Sequence, residues 1–216
     1  AGNATEGYVA RTTDTSETAL FRLRTQNPLD SVYLTSLVRH DDGDLTLGGW
    51  FGGTMYLPDG TTLSEVDGRG FIVHTGPDGT PTWTLQVPGS FTYVDRLGDK
   101  LLVRTRLPHD TGFRFAGVDY PAPMLDWDDG IALVNDNGAV DWFRRLEAGP
   151  YVPIIRGSAP LANGGVVVAY RGQSVVFPDL APSPSSNGDG RLIAFDTNGD
   201  ILWITDFEDE RADYLR

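Results

Sequence analysis

The chain has 216 residues, 40% hydrophobic and 22% charged, enough to bury a core and too apolar to stay disordered. Lys and Arg number 17 against 30 Asp and Glu, a net charge of −13 that repels phosphate backbones and excludes general nucleic-acid binding. No stretch reaches the roughly 18 apolar residues of a membrane-crossing helix, and with no cysteine there are no disulfides, thiolate metal sites or thiol chemistry.

The 26 glycines and 14 prolines follow no Gly-X-Y period, so they mark turns and favour short strands over helices. The chain lacks an initiating Met and opens on the small residues Ala1-Gly2-Asn3-Ala4. That is the pattern left by a removed signal peptide, or the start of an internal fragment. Gly7–Arg11 and Ala19–Leu23 come first, an isolated hairpin over 7–26. Val32–Val38 then turns at Asp42-Gly43 into Leu45–Leu47, and Gly70–His74 turns at Pro77-Asp78-Gly79 into Thr82–Leu85. Phe91–Val94 turns at Gly98-Asp99 into Leu101–Val103, and Gly130–Val134 turns at Asp136-Asn137-Gly138 into Asp141–Phe143. Ile154-Ile155 leads through Asn163-Gly164 to Val166–Ala169, and Gly190–Phe195 turns at Thr197-Asn198-Gly199 into Leu202–Ile204. Asx-Gly between apolar runs is the strongest local hairpin signal, because the reversing turn needs positive φ.

The opening glycines 70, 130 and 190 are 60 residues apart, and Trp83, Trp142 and Trp203 each follow the turn glycine by four. This is an internal repeat of four short strands, A to D, over 31–88, 89–148 and 149–208. The C strands are apolar on both faces, as in Ile72-Val73 and Leu192-Ile193, so sheets cover them on both sides. The tryptophans are then expected to plug the space between neighbouring sheets. The fold predicted is all-β and β-propeller-like, with about three complete four-stranded blades and an N-terminal half blade, all within one repeat domain. The half blade at 7–26 either pairs with a closing or continuing strand at 209–216 or is covered by another chain.

Gly48-Gly49-Trp50-Phe51-Gly52-Gly53-Thr54, Asp59-Gly60-Thr61-Thr62-Leu63, Gly70–Val73 and Asp78–Trp83 together resemble the bacterial SBBP-type propeller repeat. Arg191–Asp196 through Gly199–Trp203 is similar to the PQQ-like propeller repeat. The resemblance covers most of 31–208 and is most specific in the first unit; 111–129 and 171–189 lack the Gly-Thr-Thr-Leu stretch. It implies an exported bacterial surface protein, extracellular or periplasmic, and carries no catalytic residue with it.

Side-chain chemistry points the same way. His40, His74 and His109 fall in a turn, a strand and a loop that nothing in the sequence brings together. His40 beside Asp41, Asp42 and Asp44 reads as a solvated turn before it reads as a metal site. His74 occupies the slot of Leu133 and Ala194 and reads as a packed strand residue. Asp196–Asp200 spaces oxygens as a calcium loop does, but lacks the distal Glu and reads as a type I′ turn. No nucleophile elbow, spaced carboxylate pair or phosphate loop is found. No catalytic residue, metal site or cofactor is therefore predicted. Candidate binding residues are Phe113, Arg114, Phe115, Tyr120 and Trp127 in the aromatic connection 109–127, the residue types that dominate interfaces. A second connection, 178–187, is rich in Pro and Ser. The expected function is a non-enzymatic module binding a protein or surface glycan, or a subunit of a surface assembly. The alternative is a fragment of a quinoprotein or a polysaccharide-degrading propeller enzyme.

Overall fold

The Asx-Gly steps set the strand boundaries in the computed structural model, which describes residues 6–12, 17–25, 30–65, 69–107, 111–122, 128–148, 154–171, 175–176 and 190–207. These residues form an all-β protein of several antiparallel sheets. Six turns share one geometry: His40–Asp44, Leu57–Thr61, Gly76–Thr80, Asn135–Ala139, Leu161–Gly165 and Asp196–Asp200. In each, the first N–H donates to the last carbonyl, and the fourth residue, always Gly, donates back to the first carbonyl. These glycines have φ between 79° and 96°. This is a three-residue loop, a type I turn closed by a left-handed glycine, and it corrects the type I′ expectation. Asp42, Asp59, Asp78, Asn137 and Asn163 each accept the N–H two residues on, at 2.9–3.1 Å. In the sixth turn Asp196 takes that role and accepts from both Asn198 and Asp200.

Two compact units result, Ala1–Val94 with Phe113–Phe115, and Asp95–Gly112 with Ala116–Arg216. The first contains β1 (Glu6–Thr12), β2 (Glu17–Thr25), β3 (Val32–Arg39), β4 (Leu45–Phe51), β5 (Thr54–Tyr56), β6 (Thr62–Ser64), β7 (Gly70–Thr75) and β8 (Pro81–Val87). β3-β4-β7-β8 is a simple meander made from the first repeat. The N-terminal hairpin is extended on its β2 side. β2 pairs with β5, Arg24 opposite Tyr56 and Thr25 opposite Met55, giving the sheet β1-β2-β5-β6. The predicted closing strand 209–216 lies outside the described residues. Phe21, Leu23, Phe51, Met55, Phe71 and Val73 form the core of this unit.

The remaining strands are β9 (Ser90–Leu97), β10 (Lys100–Arg106), β11 (Phe113–Phe115), β12 (Val118–Tyr120), β13 (Asp129–Asn135), β14 (Val140–Ala148), β15 (Ile154–Pro160), β16 (Val166–Arg171), β17 (Val175–Val176), β18 (Gly190–Phe195) and β19 (Ile201–Phe207), of which β11 and residues 90–94 of β9 fall in the first unit. They give two more meanders, β9-β10-β13-β14 and β15-β16-β18-β19, with β17 added beside β14. Leu133, Trp142, Val168, Ile193 and Phe195 belong to the core of the second unit. β7 is buried along its whole length and β13 in all but its last residue, as strands apolar on both faces must be.

The repeats match residue by residue. Trp83 pairs with His74, Trp142 with Leu133 and Trp203 with Ala194, each immediately before a β-bulge. Burial of all three indoles was expected, and only Trp142 meets it, at 6% exposed. Trp83 is half-buried and stacks on His74, ring centroids 5.2 Å apart. Trp203 is 42% exposed. The difference is what lies over the ring: Trp142 is covered by the β18–β19 turn, where a Cβ on Gly199 would come 2.6 Å from its Cδ2.

Candidate functional site

The predicted binding segment forms the small hairpin β11–β12. Its turn, Ala116-Gly117, has φ of 50° and 82°, the two-residue reversal with both centres left-handed. Phe115 is buried at 5% exposure, Phe113 and Tyr120 are half-buried, and Arg114 is exposed. Tyr120 packs edge-on against Phe143 at 5.1 Å, and burial raises its phenol pKa against the opposing pull of Arg144. Arg145 donates to the Pro121 carbonyl and to Asp128. The hairpin is thus held by its own rings, and the two freely exposed rings expected of a binding loop are not present among 113–120. Trp127 and His109 lie outside the described residues.

A different set of aromatics reaches the surface. Tyr33 at the start of β3 and Trp50 near the end of β4 are cross-strand neighbours. Their rings stack at 4.4 Å and 12°. Phe91, at the start of β9, lies 5.5 Å from Trp50. Tyr33 is 49% and Phe91 43% exposed, and Tyr93, two residues further along β9, is exposed as well. Phe91 has φ 52°, a conformation that bulky residues rarely adopt and that costs about 1–3 kcal/mol. Thr35 Oγ1 lies within hydrogen-bonding reach of the carbonyls of Gly48 and Thr92, its single hydrogen serving one of them at a time, and the Val94 N–H donates to Ser36 Oγ. The sequence contained one signal for this platform, the pair Tyr33 and Trp50 flanking the β3–β4 hairpin, but only the register sets the rings face to face.

The structure also corrects the separation of the histidines. His40 Nε2 and His74 Nδ1 both bond Thr46 Oγ1 at 2.8 Å, and His74 Nε2 lies 3.2 Å from Asp44. Thr46 is opposite His74 in the β4–β7 ladder, while His40 closes the turn before β4. Both imidazoles and Thr46 are buried, Asp44 at the end of the chain is partly exposed, and His74 is packed between Thr46 and Trp83.

The second unit holds a buried network of charges. Asp129 pairs across the ladder with Arg106. Burial pushes its carboxyl up to about 7 against the attraction of Arg106, the Ile155 N–H and Arg104, while neighbouring Asp128 adds to the rise. Arg104 bridges Asp95 at 2.8 Å and the Ile155 carbonyl at 3.3 Å. Arg191 pairs with Asp206. Tyr170 sits in the same field, its phenol pKa raised first by burial and then by Asp129. Its hydroxyl and Arg191 Nη2 have no hydrogen-bond partner among the described residues. A carboxyl near neutrality is a candidate proton carrier, but this one is buried among the charges of β9, β10 and β13 and their hydrogen bonds to the Ile155 backbone of β15. No protein-family model matches the chain, and no curated protein matches it significantly.

Proposed function

We propose that this chain is a non-enzymatic interaction module built from propeller-type blades, exported as the repeat family it resembles is, and that it binds a neutral glycan. The observation that carries the reading is the Tyr33–Trp50–Phe91 platform, in which exposed Tyr33 and Phe91 flank a half-buried Trp50 and Phe91 is kept at φ 52°. Two exposed aromatic rings that each contact a half-buried third are costly to leave wet, and backbone strain concentrates where a side chain must be presented. The negative face of an aromatic ring attracts the polarised C–H groups on one side of a pyranose. The net charge of −13 disfavours anionic polysaccharides. The blade reading draws support from three successive four-stranded meanders in equivalent register.

The test is titration of the protein with neutral oligosaccharides of glucose, mannose, galactose and N-acetylglucosamine, followed by tryptophan fluorescence and calorimetry. Binding should change the emission of Trp50 and be lost in the double variant Tyr33→Ala, Phe91→Ser, with unfolding unchanged. Failure of every neutral glycan to bind, or equal binding by the double variant, would refute the proposal. An absorption band above that of the protein would favour the quinoprotein alternative.

A further inference from the structure

Hydrogen positions in the chain His40–Thr46–His74–Asp44 follow from its contacts, and the same contacts admit a second arrangement. The His40–Asp44 turn seats the first ring: the His40 N–H donates to the Asp44 carbonyl, and the His40 carbonyl accepts the Gly43 N–H. Thr46 and His74 are opposed in the β4–β7 ladder, so all of these groups meet within one sheet of the first unit. A carboxylate only accepts, a hydroxyl has one hydrogen, and a neutral imidazole has one N–H. With His74 neutral, its Nε2–H therefore donates to Asp44 at 3.2 Å. The Thr46 hydroxyl then donates to His74 Nδ1, and His40 Nε2–H donates to the Thr46 oxygen, both at 2.8 Å.

One more proton fits if every hydrogen moves one place. His40 gains a proton at Nδ1 and passes the one on Nε2 to Thr46, while Thr46 passes its own to His74 Nδ1. Three hydrogen bonds remain, each with one donor and one acceptor, and no heavy atom needs to move. The proton arrives at His40, but the positive charge ends on His74. Two neighbours favour it there. Asp44 lies against Nε2, and the Trp83 ring is parallel to the imidazole, 5° between planes and 5.2 Å between centroids, where an indole face attracts a cation.

A second proton does not fit. With both rings charged, two N–H groups point at the Thr46 oxygen, the hydroxyl hydrogen loses its acceptor in the chain, and two cations face each other at 5.0 Å. The other ionisable side chains of β3, β4, β7, β8 and their two hairpin turns are Tyr33, Arg39, Asp41, Asp42 and Asp78. All five are exposed, so solvent screens their effect on the buried rings.

We propose that His40, Thr46 and His74 form a one-proton relay, in which a proton taken up at His40 Nδ1 appears as charge on His74 beside Asp44. On acidification the sheet passes from a neutral pair of imidazoles to a single cation, as a pH-sensing histidine does. His40 stays neutral and changes tautomer, from Nε2–H to Nδ1–H.

The experiment is long-range ¹H–¹⁵N NMR of the ¹⁵N-histidine-labelled chain from pH 8 to 5, which separates the two neutral tautomers from the cation. Resonances are assigned with His109→Gln, His40→Gln and His74→Gln. His74 should become the cation over the same pH interval in which His40 exchanges its proton from Nε2 to Nδ1, so that the pair gains one proton. Thr46→Ser, which keeps the hydroxyl, should preserve the linked change. Thr46→Val should abolish it, leaving His40 in one tautomer while His74 titrates. If the Val variant does not fold, the wild-type and Ser spectra decide alone. A His40 that keeps one tautomer while His74 charges, two cations formed together, or rings unchanged down to the pH of unfolding would overturn the relay. No glycan enters the measurement, so its outcome is independent of glycan binding.

Discussion

Replacing Asp129 with Asn should remove a defined part of the protein's response to pH. The Asp129 carboxyl is held at about 7 in the folded chain against an ordinary value of 3.8, because burial outweighs the nearby arginines. A raised carboxyl binds its proton more tightly in the folded state than in the unfolded one, so stability falls as pH climbs. The contribution is fully present below about pH 4, declines through the interval to about 7, and is gone above it. A gap of roughly three units corresponds to about 4 kcal/mol. Asn fills the same volume, cannot ionise, and keeps an oxygen to accept the Ile155 N–H. Urea unfolding at half-unit steps from pH 4 to 8 should therefore find the two proteins similar at pH 4.5. Above pH 7 the Asn variant should be more stable by a few kcal/mol. Other carboxylates with lowered values, such as Asp78 held by the Thr80 N–H and hydroxyl, lose stability toward acid in both proteins and cancel in the difference. A variant that is less stable than the wild type at pH 8, or a difference independent of pH, would show that the arginines outweigh burial.

Gly199→Ala and Gly60→Ala incur the same backbone cost of about 1–2 kcal/mol for a left-handed alanine, but only the first also drives a methyl into Trp142. Gly199→Ala should therefore lose a further 1–3 kcal/mol, roughly, in chemical denaturation; equal losses would mean that the indole is not seated on that turn. Trp142→Ala should cost about 3–5 kcal/mol, while Trp203→Ala, exposed in the single chain, should change monomer stability by less than about 1 kcal/mol. Comparable losses at the two positions would contradict their difference in burial.

Local patterns carried the hairpins and the repeat, because Asx-Gly turns and doubly apolar strands are written in neighbouring residues. The three-residue turn was also legible at two of the six positions, though not at Asp196–Asp200, where type I′ was expected. Pro58 and Pro77 stand at the first centre of their turns, and a proline locked near φ −65° cannot enter a type I′ turn. Ala116-Gly117 adopts the true two-residue reversal without an Asx residue to announce it. The pairing of β2 with β5 was not legible, since a three-residue strand gives too short a pattern to name its partner. The Tyr33–Trp50–Phe91 platform was missed for a related reason: cross-strand register and a strained φ at Phe91 assemble it, and neither leaves a spacing in the sequence. In the aromatic-rich 109–127, composition alone does not tell rings that serve the fold from rings that face solvent.

The His40–Thr46–His74–Asp44 chain shows how a register converts scattered residues into one polar unit, and hydrogen counting predicts what removing its centre does. Thr46 has one hydroxyl hydrogen and two lone pairs. With both imidazoles neutral, His74 Nε2–H donates to Asp44, the Thr46 hydroxyl donates to His74 Nδ1, and His40 Nε2–H donates to the Thr46 oxygen. Each of the three hydrogen bonds then has one donor and one acceptor. Thr46→Val keeps the shape and the β-branched preference of the strand, yet it leaves a buried imidazole N–H on one side and an unpaired ring nitrogen on the other. An orphaned buried polar group costs about 1–3 kcal/mol, and here there are two. The variant should lose about 2–5 kcal/mol in urea unfolding at pH 7.5, and Thr46→Ser, which keeps the hydroxyl, should lose far less. Equal losses for Val and Ser would place the cost in packing and show that the hydroxyl does not hold the two histidines together.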